Sequence, residues 1–246
     1  MNNRYRRGLV TLATIAGILL TASLGRWQLS RAAQKEALQA AMDQQASKPP
    51  VDAMSLRKAS DPQQLVHQQS VLRGSWVPEG TVFLDNRQMN ARVGFFAVTP
   101  LRLEGDGGVI LVQRGWVPRN FEKRDALPAI ETPGGTVQVQ GRIAPPPSKL
   151  YEPGSASTGL IRQNIDLEQF RRETGLPLMP VILRQTGPAS EGLLREWPAV
   201  NLGVDKHYGY AFQWFGLSTL IAVLYLWFQL VRHIVSRPKD PTRNAN

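Results

Sequence analysis

Two apolar segments near opposite ends constrain this chain more than any other feature. Gly8 to Leu24 is 17 residues without a charge, and Tyr208 to Val231 is 24. At about 1.5 Å rise per residue each can cover a hydrocarbon core of roughly 30 Å, the first only just. About 180 residues of mixed polar sequence separate them. The expected architecture is a membrane protein in which two transmembrane α-helices flank a β-dominated (α+β, mainly antiparallel) extracytoplasmic domain. The segments divide as a cytoplasmic N-terminus (1–7), a transmembrane helix (8–25), a helical extension (26–48), a periplasmic β-rich domain (49–207), a second transmembrane helix (208–231) and a basic cytoplasmic tail (232–246).

Charge sets the orientation. Arg4, Arg6 and Arg7 precede the first segment, and Arg232, Arg237, Lys239 and Arg243 follow the second. Short basic flanks stay on the cytoplasmic side, whereas a long loop crosses largely regardless of its charge. Both termini are expected in the cytoplasm of a bacterial cell, with the domain in the periplasm and the protein multi-pass in the inner membrane. Arg26, Arg31 and Lys35 pull weakly the other way. A cleaved signal peptide is the competing reading of the first segment, but the nearest thing to a cleavage site is Thr21-Ala22-Ser23. An Arg- and Ser-rich amphipathic presequence is absent, which argues against organelle import. Of the net charge of +10, +3 lies in residues 1–25 and +3 in residues 232–246, leaving +4 for the domain. Most of the excess therefore marks topology and contact with anionic lipid. No basic stretch is interleaved with aromatics, so nucleic acid is excluded as a partner.

The chain has no cysteine, which excludes disulfides, thiolate metal sites, a cysteine nucleophile and covalent c-type haem. Leu29 to Gln45 is rich in Ala, Gln, Lys and Glu, and continues the first helix until Pro49-Pro50 ends it. Strands are predicted at Val71-Leu72, Thr81–Leu84, Gly94–Leu103, Val109–Val117 and Val181–Leu183, with a hairpin turn at Gly105–Gly108. Thr136 to Ile143 alternates, with Val137, Val139 and Ile143 on one face and Gln138, Gln140 and Arg142 on the other. Ala144–Gly159 is a long loop. A short helix begins at Asp166, which can cap it, and stops at Gly175. The chain returns to the membrane through Trp197-Pro198.

No enzyme signature appears: no Walker loop, no G-x-S-x-G elbow, and three histidines whose spacing fits no zinc or non-haem iron motif. No metal is expected apart from haem iron. His67 reads as exposed in a polar strand, and His233 as an interface residue among arginines. His207 stands at the outer edge of the second apolar segment. On a helix His207, Tyr210, Ala211 and Trp214 fall at i, i+3, i+4 and i+7, on one face. A neutral imidazole there is a candidate haem axial ligand. Aromatic and His residues also gather at bilayer interfaces for amphipathic reasons, so anchoring is the other reading.

Several blocks resemble the surfeit locus protein 1 family, the assembly factors of cytochrome c oxidase. They are Gly25-Arg26-Trp27-Gln28, Val82 to Leu101 (VFLDNRQMNARVGFFAVTPL), Val109 to Pro118 (VILVQRGWVP), VQVQGRI before the triple proline, and His207 to Ser218 (HYGYAFQWFGLS). The resemblance covers most of the chain except the tails and residues 43–64. It implies a bacterial-type membrane-anchored assembly factor, not an enzyme, that accepts haem a near haem a synthase and helps place it in oxidase subunit I. It makes His207 the candidate haem ligand, with Tyr210 and Trp214 as pocket walls. The alternative is a scaffold that steadies subunit I and binds no haem.

The remaining blocks carry two readings each. Arg114-Gly115-Trp116 can form a docking surface or meet a haem propionate. It can equally be a strand end where Gly115 lets Trp116 turn inward, the favoured reading. Asp85-Asn86-Arg87 reads as a turn stabilised by its own side chains, and Arg26-Trp27 as an interfacial anchor.

Overall fold

The computed structural model describes residues 3–105, 108–120, 127–151, 159–198 and 202–235. It separates into two compact units, one of residues Met1–Ala40 with Asn201–Asn246 and one of Ala41–Val200.

The first unit is a pair of helices. Helix α1 (Asn3–Ala46) runs unbroken from the apolar segment through the expected extension. The second helix of the pair, Val204–Val235, starts four residues before the anticipated boundary. Both are long and apolar enough to cross a membrane. Buried and half-buried positions recur at alternating steps of three and four. On α1 they include Thr14, Ile18, Thr21, Gly25, Gln28 and Ala32; on the second helix His207, Ala211, Trp214, Ser218, Ile221 and Tyr225. A 3.5-residue period is that of helices packed side by side at a shallow left-handed crossing. Small and polar groups fill the seam. Thr11 Oγ1 lies 2.7 Å from the Tyr225 hydroxyl, and Ser218 Oγ donates to the Ile18 carbonyl at 3.4 Å. At Gly25 a methyl group would sit 2.8 Å from the Phe215 ring, so only glycine admits that ring. Small residues at such seams let helix backbones approach closely, which is how helices associate in lipid.

The second unit is a sheet that closes on itself. Its elements are α2 (Ala53–Lys58), β1 (Gln69–Trp76), β2 (Val82–Met89), β3 (Arg92–Leu103), β4 (Val109–Pro118), β5 (Thr136–Ala144), β6 (Ile161–Arg162), α3 (Leu167–Thr174) and β7 (Leu178–Gln185). The Val204–Val235 helix is α4. The sheet order is β1-β5-β7-β4-β3-β2-β6, and β3 also pairs back to β1 through Leu101–Leu103. Five strands thus form a closed barrel, with β2 and β6 continuing from the other half of β3. Pairings are antiparallel except β4–β7 and β2–β6, so the sheet is mixed.

The alternation read in β5 places Val139 and Ile143 inside the barrel with Leu72, Leu101, Ile110, Val112, Val181 and Leu183. Leu56 of α2 joins that cluster and is fully buried. On the outer face α3 covers Val98, Leu111 and Ile182 with Leu167 and Phe170. The caps of α3 are those read in the sequence. Asp166 accepts from the Glu168 and Gln169 amides, and Gly175 closes the helix at φ 69°.

Two expectations change. Asp85-Asn86-Arg87 is not a turn but an irregularity inside β2: register shifts between Leu84 and Arg87, with Asn86 at φ 58° and its amide held by the Asp85 carboxylate. Asn tolerates left-handed backbone, so it serves a bulge as well as a turn. His67 lies not in a strand but in the turn before β1, half-buried at φ 76°, its amide donating to the Ile143 carbonyl at 2.8 Å. In the Gly105–Gly108 hairpin, Asp106 and Gly107 lie outside the described residues, as do Gly154-Ser155 of the long loop and residues 236–246 of the basic tail.

Candidate functional site

His207 sits in the first turn of α4, half-buried against α1. Its Nδ1 lies 2.7 Å from Gln28 Oε1. Gln28 is itself buried, 9% exposed, so this bond is sheltered from water and holds the ring in one orientation. With the amide oxygen as acceptor, Nδ1 carries the proton and Nε2 keeps its lone pair. Among the described residues Nε2 has no partner. Two further bonds join the same stretch of α1 to the start of α4: Lys35 Nζ donates to the Leu202 carbonyl at 2.6 Å, and the Tyr208 hydroxyl donates to Glu36 Oε1 at 2.8 Å.

The expected four-residue face divides. Ala211 is buried and Trp214 half-buried on the side of α4 that meets α1, whereas Tyr210 is 52% exposed. At about 3.6 residues per turn, i+4 falls about 40° to one side of His207, and i+7 and i+3 fall about 20° and 60° to the other, which makes Tyr210 the outermost of the four. Arg26 and Trp27 are exposed. Among the described residues no group of three or more His, Asp or Glu side chains could hold a metal ion. The side chain of His233 lies outside the described residues.

Arg114, Gly115 and Trp116 lie at a bulge in the other unit. Ala97 pairs with Gly115 and Val98 with Gln113, leaving Arg114 as the extra residue. The extra residue reverses the alternation. Arg114 follows Ile110 and Val112 toward the barrel interior, and Trp116 pairs on the opposite face with Phe96. Arg114 is wholly buried. Its guanidinium donates to Thr132 Oγ1 (2.8 Å) and the Glu131 carbonyl (2.6 Å), pairs with the Glu191 carboxylate (2.9 Å) and lies 4.6 Å from the centre of the Trp76 ring. Arg195 reaches the same carboxylate at 3.1 Å and donates to the Arg114 carbonyl at 2.7 Å. Burial pulls the Arg195 guanidinium below its ordinary value, against the pull of Glu191. Trp116 is buried, and its indole N–H donates to the Arg87 carbonyl at 2.9 Å.

Arg114 by its side chain and Trp116 by its main chain, with Gly115 leaving room for Leu193, therefore fasten the 127–132 and 188–195 segments to the barrel. Any docking role they have must act through the surface they shape. Gln28, Glu191 and Arg195 were not singled out in the sequence. Gln28 ends the Gly25-Arg26-Trp27-Gln28 block, but nothing local joins it to His207.

Comparison with known proteins gives one consistent result. A family model described as the SURF1 family matches residues 15–219, which takes in most of α1, the first half of α4 and the whole domain between them. The SURF1-like protein of Rickettsia bellii (strain RML369-C) is 24% identical over 223 residues, covering 87% of this chain and 88% of its own. That of Rickettsia prowazekii (strain Madrid E) is 27% identical over 229 residues, covering 90% and 88%. The SURF1-like protein of Monosiga brevicollis is 24% identical over 245 residues, covering 91% and 89%. The chain belongs to the SURF1 family.

Proposed function

We propose that this chain is a membrane-anchored assembly factor for cytochrome c oxidase that binds haem a through His207 and assists its insertion into subunit I. Family membership supports the assembly role. The observation that carries the haem reading is the Gln28–His207 bond, which fixes the tautomer and leaves Nε2 without a partner. Haem-ligating imidazoles take this form, with one nitrogen on iron and the other held by the protein. In this reading haem a is cargo, received near haem a synthase and released to subunit I. Trp214, beside His207 on the seam, and Tyr210, on its exposed flank, line the approach. The two helices span the bacterial inner membrane with both termini in the cytoplasm and the barrel in the periplasm. The basic ends rest on anionic lipid, and the protein performs no catalytic turnover.

The buried Arg114–Glu191–Arg195 network favours a second reading, a rigid scaffold that steadies subunit I without haem. One experiment separates the two. The protein is purified in detergent after co-expression with haem a synthesis, and absorption spectra of wild type and His207→Ala are compared. Haem a in the wild type and none in the variant is expected. Equal haem in both would remove His207 as the ligand. No haem in either, with oxidase assembly still dependent on the chain, would favour the scaffold.

A further inference from the structure

The outer face of the barrel carries a transverse row of hydrogen-bond donors with no acid in it. Register places Arg142 of β5 directly opposite Arg184 of β7, and Arg184 directly opposite Gln113 of β4. The three therefore lie side by side on one face, at strand spacings of about 4.8 Å. Like charges directly opposite each other on neighbouring strands destabilise a sheet unless something offsets them. Among the described residues nothing does so: neither arginine has a carboxylate partner there.

The rest of the row is also unspent. Arg184 Nε is buried with no hydrogen-bond partner. Gln113 is only 4% exposed, and its side chain has no partner among the described residues. His67, whose amide binds the Ile143 carbonyl next to Arg142, closes one end. Burial and then the charges of Arg142 and Arg184 hold its imidazole below the ordinary value. Trp197 closes the other end, with the Arg184 guanidinium 5.9 Å from its ring centre and its indole N–H fixed on the Gln185 carbonyl at 2.7 Å.

We propose that the row Arg142–Arg184–Gln113, bounded by His67 and Trp197, binds the acidic side chains of a protein segment. Guanidinium forks match planar carboxylates bidentately. A row three strands wide suits several carboxylates along an extended chain better than one compact anion. Acids at i and i+2 of such a chain lie about 7 Å apart, within reach of both arginines.

The test uses the full chain in detergent micelles and a fluorescein-labelled hexaglutamate peptide, read by anisotropy, with His67 followed by NMR. Wild type is expected to bind the peptide, and binding is expected to raise the His67 pKa. Arg142→Gln and Arg184→Gln are each expected to weaken binding about tenfold, the loss of one charge-assisted pair. Arg172→Gln, an exposed charge on α3, is expected to leave binding unchanged. Arg142 is exposed, so its removal is informative even if Arg184→Gln unfolds the barrel. Three results would each overturn the proposal: no peptide binding, an equal loss in Arg172→Gln, or inorganic phosphate displacing the peptide at equal charge concentration.

Discussion

Replacing Gly115 with alanine tests whether the β4 bulge is held shut by the segment packed on it. The added methyl would lie 2.6 Å from Leu193 Cβ and 2.8 Å from the Leu194 carbonyl oxygen, and the second of these is backbone. Relief requires lifting the Leu193-Leu194 segment. That movement strains two main-chain bonds, Trp116 N–H to the Leu194 carbonyl at 2.8 Å and its reciprocal at 2.9 Å. It also exposes Leu193, now 1% accessible. Each hydrogen bond contributes about 1 kcal/mol net, and the leucine about 2 kcal/mol. Full detachment therefore costs about 4 kcal/mol, and a partial shift about half of that. With a urea slope of about 2 kcal/mol/M for a domain of this size, the midpoint should fall by roughly 1–2 M. Tryptophan fluorescence of the full chain in detergent reads the transition through Trp76 and Trp116. Gly134→Ala, where a methyl meets nothing within 4 Å, is the control and should leave the midpoint in place. A Gly115→Ala midpoint within about 0.3 M of wild type would refute the packing argument.

Three further outcomes are expected. Arg114→Met removes the wholly buried guanidinium that holds Thr132, the Glu131 carbonyl and Glu191, and should cost about 3 kcal/mol in the same urea assay even though Arg195 still pairs with Glu191. On the proposed haem role of His207, Gln28→Leu should lower haem a affinity roughly 10–100-fold while leaving some haem bound, since the proposed ligand stays and only its orienting partner goes; titration of haem into the purified variant measures it. His67 has a lowered pKa in the fold, so the unfolded chain takes up its proton first as pH falls. Its contribution is therefore flat above about pH 6.5 and turns against folding as pH drops below that value. His67→Asn, which accepts the positive φ, should flatten the stability profile between about pH 7 and 5 when urea midpoints are compared.

Elements whose cause is local could be read from the sequence. The apolar ends became helices, and the α3 caps, Asp166 and Gly175, stand where they were placed. Strand β5 shows its alternation because only one of its faces is covered. Strand β4 does not, because all but its last residue are buried, so its apolar run says nothing of which face is which. The Asn86 bulge looked like a turn because the same left-handed residue serves both. The site was legible only in halves. His207 stood out by type and place, but its partner Gln28 lies 179 residues away in a different helix. Likewise Glu191 and Arg195 have no pattern that ties them to Arg114. Such pairs are created by packing, and composition carries no trace of them.

The closed barrel has a consequence for the order in which the chain can fold. Strand β4 must wait for β7, about 70 residues later, to satisfy its free edge in parallel. Strand β1 is likewise joined to the ring through β5, some 65 residues on. A nascent chain that has emerged only to Ala144 therefore presents one side of β4 and one of β5 unpaired, both apolar on the face that becomes the interior. Long-range closures of this kind are slow, because the loop entropy is lost before the contact energy is gained. The interval before β7 emerges is when this domain is most exposed to aggregation. Truncations upstream of Leu178 should accumulate as insoluble material, not as a smaller folded barrel, and a pulse-labelled solubility assay would show it.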